Sequence, residues 1–140
     1  MNEFVDTHIL CYAYDSSAGY KHDSGAELLQ RLLKEKTGTV STQVLLEFYS
    51  IVTRKLRATS QMAEDALELY SIYRIHRPDY SSVIAAIHLQ RRYKLAWFDA
   101  MILNSALETG CSILWTEDFS DGQRFGDLVI RNPCKNARTV

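Results

Sequence analysis

The stretch EFVDTHILCYAYD, residues 3–15, decides the reading of the fold. A short apolar run, Phe4-Val5, stops on a carboxylate, Asp6, and a hydrophobic segment follows at once. The run reads as a strand over 2–6 and the segment after it as a short helix over 7–14. An unpaired carboxylate at such a junction is expensive to bury. Asp6 therefore either caps the helix or stands beside something positive.

Outward from this junction the same alternation repeats. After a loop through Ser16, Ser17 and Gly19, Leu28, Leu29, Leu32 and Leu33 recur at helical spacing within 22–36, and Gly38 is a natural stop. Residues 39–41 read as a strand. Thr42 is placed to cap the helix QVLLEFYSIVTRKL. A further helix follows Ser60 through Ala66, Leu67 and Tyr70, and a short strand is expected over 73–76, before Pro78. Ser81 or Ser82 opens a helix to about Tyr93. Asp99 opens another, AMILNSALETG, closed by Gly110. Residues 112–116 and 128–130 read as strands. Apolar strands alternating with amphipathic helices predict an α/β fold with a mostly parallel sheet. Sites in such sheets form beyond the carboxyl ends of the strands, where Asp6 and Asp118 both fall.

The bulk numbers narrow the function. A chain of 140 residues is read as one domain, 1–140. Its 46% hydrophobic and 24% charged content is that of a globular protein. A net charge of −1 argues against a general nucleic-acid coat, so any such contact needs a local basic patch. Three cysteines without CxxC spacing fit reduced thiols rather than a disulfide framework. Four histidines lack zinc-ligand spacing. No apolar run approaches the ~18–20 residues of a membrane span, and no basic segment precedes Asp6 as in a signal peptide. These features predict a cytoplasmic protein with no membrane partner.

Four carboxylates carry the chemistry. Asp6 alone is a helix cap. Glu47 lies just beyond the edge of the arc formed by Val44, Leu45, Phe48, Ile51, Val52 and Leu56, with Arg54 beside it in helical phase. Taken alone, Glu47 is a solvated flank residue. Asp99 follows Trp97 and Phe98, and a charge among aromatics is neutralised, paired or functional. Asp118 sits with Thr116, Glu117 and Asp121 in a polar turn, ILWTEDFSDGQ. Gathered in one cleft, these groups would repel one another: two like charges ~4 Å apart cost about 4 kcal/mol at an effective dielectric near 20. A divalent cation removes that repulsion. An all-oxygen set suits Mg²⁺ or Mn²⁺ rather than zinc, and such ions commonly act on phosphate esters.

The ordered set VDTHILCYAY, VLLEFYSIVTRK and AWFDAMILNSALETGCSILWTEDF resembles PIN-domain ribonucleases, in particular the VapC-like toxins of type II toxin–antitoxin pairs. The resemblance runs from the first strand to RNP near the end. It implies a three-layer α/β/α fold with a short, mostly parallel central sheet. It also implies a Mg²⁺- or Mn²⁺-dependent endoribonuclease, in which metal-activated water leaves a 5′-phosphate and a 3′-hydroxyl. Asp6, Glu47, Asp99 and Asp118 match the family's acidic positions: Asp6 and Asp99 as direct ligands, Glu47 and Asp118 directly or through water. Thr116 matches the Ser/Thr of the last motif, and Asp121 a further acidic position of some members. His8 departs from the Asn or Ser often found there. The resemblance further implies a homodimer and a small antitoxin partner, for which Leu28, Leu32, Tyr49 and Tyr73 are candidate surfaces. Arg54 is the candidate RNA contact among the basic groups.

Two other readings compete. A phospho-acceptor signalling domain also has an acidic Mg²⁺ pocket, but it wants paired acids after the first strand and a Lys after a late one, and neither is present. A PIN-like module that binds RNA or protein without cutting would not require all four acids.

Overall fold

The computed structural model describes residues 1–135. The elements run β1 (Glu3–Val5), α1 (Thr7–Tyr14), a 3-10 turn (Ser16–Ala18), α2 (Tyr20–Glu35), β2 (Gly38–Ser41), α3 (Thr42–Arg54), α4 (Ser60–Tyr70), β3 (Arg74–His76), α5 (Tyr80–Tyr93), α6 (Trp97–Glu108), β4 (Ile113–Trp115), β5 (Arg124–Phe125) and β6 (Leu128–Arg131). The strands form one sheet in the order β3-β2-β1-β4-β6-β5. All pairings are parallel except β5 with β6. This is the α/β architecture anticipated, a mostly parallel sheet flanked by six α-helices.

The topology explains where a site can form. From β1 the chain steps outward to β2 and β3, then returns to place β4 on the other side of β1. Right-handed crossovers therefore put α1–α4 on one face and α5–α6 on the other, and the helix contacts group in this way. The reversal leaves a crevice between the carboxyl ends of β1 and β4, the place where open parallel sheets hold ligands. Register pairs Phe4 with Leu114 and Val5 with Trp115. The Asp6 amide continues the ladder, donating to the Trp115 carbonyl at 3.0 Å.

Burial fixes the helices against the sheet. Val44, Phe48 and Val52, one turn apart along α3, are wholly buried. Phe48 meets Tyr14 and Tyr70 edge-on at 5.8 and 5.3 Å. Along α6, Ile102 to Ala106 are buried in unbroken succession. The polar Asn104 among them is satisfied by donating to the Ser82 carbonyl at 3.2 Å. No helix among the described residues is long and apolar enough to cross a membrane.

Several local expectations are corrected. Ser41, not Thr42, caps α3, its hydroxyl accepting from the Val44 amide. Asp79, not Ser81 or Ser82, caps α5 in a capping box with Ser82. Helix α2 ends on Lys36 in the left-handed region at φ 59°. Gly38 instead begins β2, where the Tyr73 ring occupies the space a Cβ would need. Asp99 lies within the first turn of α6 rather than at its cap, which is Ala96. Leu28, Leu32 and Tyr73 are core residues at 7%, 0% and 7% exposure, so they offer no partner surface; of the four named, only Tyr49 is exposed.

Candidate metal centre

The crevice above β1 and β4 is a cleft of about 220 Å³ lined by Asp6, Glu47, Asp99 and Asp118, together with Thr7, His8, Ser50, Ile51, Phe98 and Ile102. The four carboxylates arrive from four separate segments. Asp6 follows β1, Glu47 projects from the middle of α3, Asp99 from the first turn of α6, and Asp118 from the loop after β4. Helix phase explains Glu47. With Val44, Phe48 and Val52 turned into the core, the adjacent flank of α3 faces the crevice.

A hydrogen-bond lattice holds these groups. Asp6 is 5% exposed. Its Oδ1 accepts from the Thr7 amide at 2.7 Å and its Oδ2 from the Thr116 hydroxyl at 2.7 Å. Thr116, fully buried, also accepts from the Asp118 amide at 3.0 Å, so one hydroxyl ties two carboxylate-bearing segments together. The Thr7 hydroxyl donates to Glu47 Oε1 at 2.6 Å, and Gln43 Nε2 reaches Glu47 Oε2 at 3.4 Å. Gln43 also donates to the Phe98 carbonyl at 3.3 Å, linking α3 to the start of α6 across the cleft. Thr7 and Gln43 were not singled out in the sequence. A Thr at the first position of a helix carries no signal of its own, whereas Gln43 one turn before Glu47 could have been noticed.

The electrostatics are those of an unneutralised acidic site. Burial pushes the Asp6 carboxyl up to about 7, against the Thr116 and Thr7 hydrogen bonds that favour its ionised form, and the nearby Asp118 adds to the rise. Asp99 is raised as well, first by burial and then by Asp118 and Glu47, with His8 working the other way. Among the described residues no Lys or Arg forms an ion pair with any of the four carboxylates. Behind them the Cys11 thiol is pushed up to about 12 by burial, then by Asp6 and Glu47, so it stays protonated.

These residues fit a hard divalent cation. Every carboxylate donor is oxygen, and no thiolate enters the cleft. Among the described residues no three acidic, histidine or cysteine side chains close on one point as a ready-made cage. Magnesium does not ask for one. It retains several waters and takes one or two carboxylates directly. The cleft offers such an open set around the buried Asp6.

The remaining candidates divide. His8 is exposed on the cleft wall. Asp121 is not on that wall: its Oδ1 accepts from the Asn132 amide at 2.8 Å, and Lys135 lies 3.5 Å from its Oδ2. Arg54 and Lys55, at the end of α3, line a shallow depression with Ser50 and Ile51, which also line the cleft. Among the other basic side chains, Arg74 donates to the Thr109 carbonyl and His76 meets Glu108.

Three solved structures are similar in fold over nearly the whole chain. A toxin–antitoxin complex from Klebsiella pneumoniae has a TM-score of 0.72 at 18% identity, covering 94% of this chain and 98% of that one. VapBC2 from Rickettsia felis, bound to a DNA fragment from its promoter, has a TM-score of 0.69 at 19% identity, with the same coverage of 94% and 98%. VapC20 of Mycobacterium tuberculosis, a sarcin–ricin loop cleaving toxin, has a TM-score of 0.66 at 17% identity, covering 84% and 90%. Comparison with curated protein sequences gives no match. Residues 4–120 match the PIN domain, and a match over that share of the sequence makes the chain a member of the PIN domain family.

Proposed function

We propose that the protein is a Mg²⁺- or Mn²⁺-dependent endoribonuclease and the toxin of a toxin–antitoxin pair. The observation that carries this reading is the meeting of Asp6, Glu47, Asp99 and Asp118 in one cleft at the reversal of the sheet. Asp6 and Asp99 would hold the ion directly, with Glu47 and Asp118 completing the site directly or through water. When bound, the cation supplies Lewis-acid stabilisation of the phosphate and a more acidic water nucleophile.

The chain's own residues do the rest. Thr116 and the Thr7 amide fix the orientation of Asp6. Thr7 and Gln43 hold the two oxygens of Glu47. Arg54 and Lys55 line a basic depression that shares Ser50 and Ile51 with the cleft, placed to receive a phosphate of the RNA strand beside the scissile one. The fold neighbours that are toxin–antitoxin assemblies support a small protein partner here. Leu46, Tyr49 and Met62, exposed on α3 and α4, offer an apolar surface for it or for a second copy.

The phospho-acceptor reading is weaker: a single Asp, not an adjacent pair of acids, follows β1, and no Lys directly follows β4.

The test is incubation with total cellular RNA and Mg²⁺ or Mn²⁺, with cut ends mapped. Cleavage that EDTA abolishes and that Asp6→Asn lacks is expected, and Arg54→Ala should weaken RNA affinity without loss of metal binding. Full metal-dependent cleavage by Asp6→Asn would overturn the proposal.

A further inference from the structure

The residue beside Asp118 points elsewhere and is held there. Glu117 Oε1 accepts from the Tyr12 hydroxyl at 2.5 Å, and its Oε2 lies 3.0 Å from Lys21 Nζ. Lys21 also donates to the Tyr12 oxygen at 3.3 Å and sits 4.9 Å from the centre of that ring. Tyr12 comes from α1, Lys21 from α2 and Glu117 from the loop after β4. The two helices are packed along each other, so donor and cation face the loop from one rigid pair. Tyr12 is itself anchored, its carbonyl bonded to His22 Nδ1 at 2.9 Å.

Only Thr116 stands between β4 and these acids, and it is tied to Asp6. Glu117 to Phe119 form a bend, in which the Asp118 amide donates to Thr116 Oγ1. With Glu117 held towards α1 and α2, Asp118 of the same bend lines the cleft. Without the clamp, two adjacent carboxylates on one short loop would compete for the same space beside Asp6.

We propose that Tyr12 and Lys21 are positioning residues that grip Glu117 and so set the direction of Asp118 at the metal centre. The inference rests on the reading of the cleft as a metal site. It differs from a simple effect of charge in sign. Lys21 is a cation near an acidic site, so its field alone opposes metal binding, and its removal should then tighten binding. The clamp predicts the reverse.

Mn²⁺ binding to the full chain, followed by calorimetry and by the electron spin resonance of free Mn²⁺, decides between them. Lys21→Met and Tyr12→Phe should each weaken Mn²⁺ binding about tenfold, the size typical of losing a residue that orients a ligand. Lys21→Arg should recover most of it. The double variant Lys21→Met/Glu117→Gln should lose little more than either single one, because the members act as a unit. Thermal melting in EDTA should be nearly unchanged across the set, which a merely structural role would not give. Unchanged or tighter Mn²⁺ binding in Lys21→Met, with the wild type binding normally, overturns the clamp alone. A wild type that binds no Mn²⁺ removes the metal reading itself and the clamp with it.

Discussion

Substituting Asp6 by Asn should make the metal-free protein more stable at pH 8 while abolishing its metal response. Asp6 is 5% exposed, and burial lifts its carboxyl from an ordinary 3.8 to about 7. Between those values the folded state keeps a proton that the unfolded chain releases. Stability therefore falls as pH rises through that window and levels off above it. The full interval corresponds to about 4 kcal/mol. Asp99, also raised, acts in the same direction. Glu3 does not offset this. Burial alone would lift its carboxyl, but Arg31 and Trp115 together hold it below its ordinary 4.5, so its contribution is already in place across that range. Asn keeps the shape of Asp6: its oxygen accepts from the Thr7 amide and its NH₂ faces the Thr116 hydroxyl. Urea unfolding in EDTA at pH 5, 6, 7 and 8 reads the effect. Wild type should lose about 2–3 kcal/mol across the series, the part of the window above pH 5, and Asp6→Asn should lose much less. Mn²⁺ at a hundred times its Kd should restore about 2.7 kcal/mol to the wild type at pH 8 and leave the variant unmoved. A wild-type profile flat from pH 5 to 8, or a variant weaker at every pH, would reduce Asp6 to a plain cap and sink the argument.

Other substitutions separate the roles of neighbouring residues. Thr116→Val leaves Asp6 Oδ2 and the Asp118 amide without their shared partner; it should cost about 1–3 kcal/mol in urea unfolding and weaken Mn²⁺ binding in calorimetry. Gly38→Ala forces a methyl group into the Tyr73 ring and should lower stability by about 1–3 kcal/mol, with cleavage per folded molecule unchanged. Asp121→Ala, which releases the Asn132 amide at an exposed turn, should cost about 1 kcal/mol and leave Mn²⁺ affinity as it was.

The sequence was most legible where one physical signal stood alone. Phe4-Val5 and Ile113 to Trp115 are short apolar runs with few competing assignments, and both are strands. The place of Glu47 at the margin of the apolar arc of α3 was legible, but spacing alone left it a solvated flank residue, and only the ordered set of acids drew it to the cleft. Caps were less so. Ser41-Thr42 and Asp79 to Ser82 each offer several side chains able to accept from the helix amides, and backbone geometry chooses among them. Strand β5 was missed although its signal was present: Phe125 and Leu128 flank Gly126-Asp127, and Gly126 has φ 62° in the two-residue turn. Tyr12, Lys21 and Glu117 could not be joined by spacing. Tyr12 and Glu117 are brought together only by the pairing of β1 with β4. Leu28, Leu32 and Tyr73 were candidate surfaces because periodicity marks an apolar face without saying what covers it.

Asp6 caps a helix, and that role does not exclude meeting a cation. Its Oδ1 does accept from the first amide of α1. A neutral Ser or Thr would meet that need without a buried charge, as Ser41 and Thr59 do at the starts of α3 and α4. Capping thus accounts for the position of Asp6 but not for its carboxylate. Nor does the helix dipole account for Asp118, which lies outside any helix and adds to the repulsion. Two like charges near each other, one of them buried, lower the stability of a fold that has no local use for either. In the proposed function a divalent cation would offset that repulsion, and the cap would hold Asp6 in register to meet it.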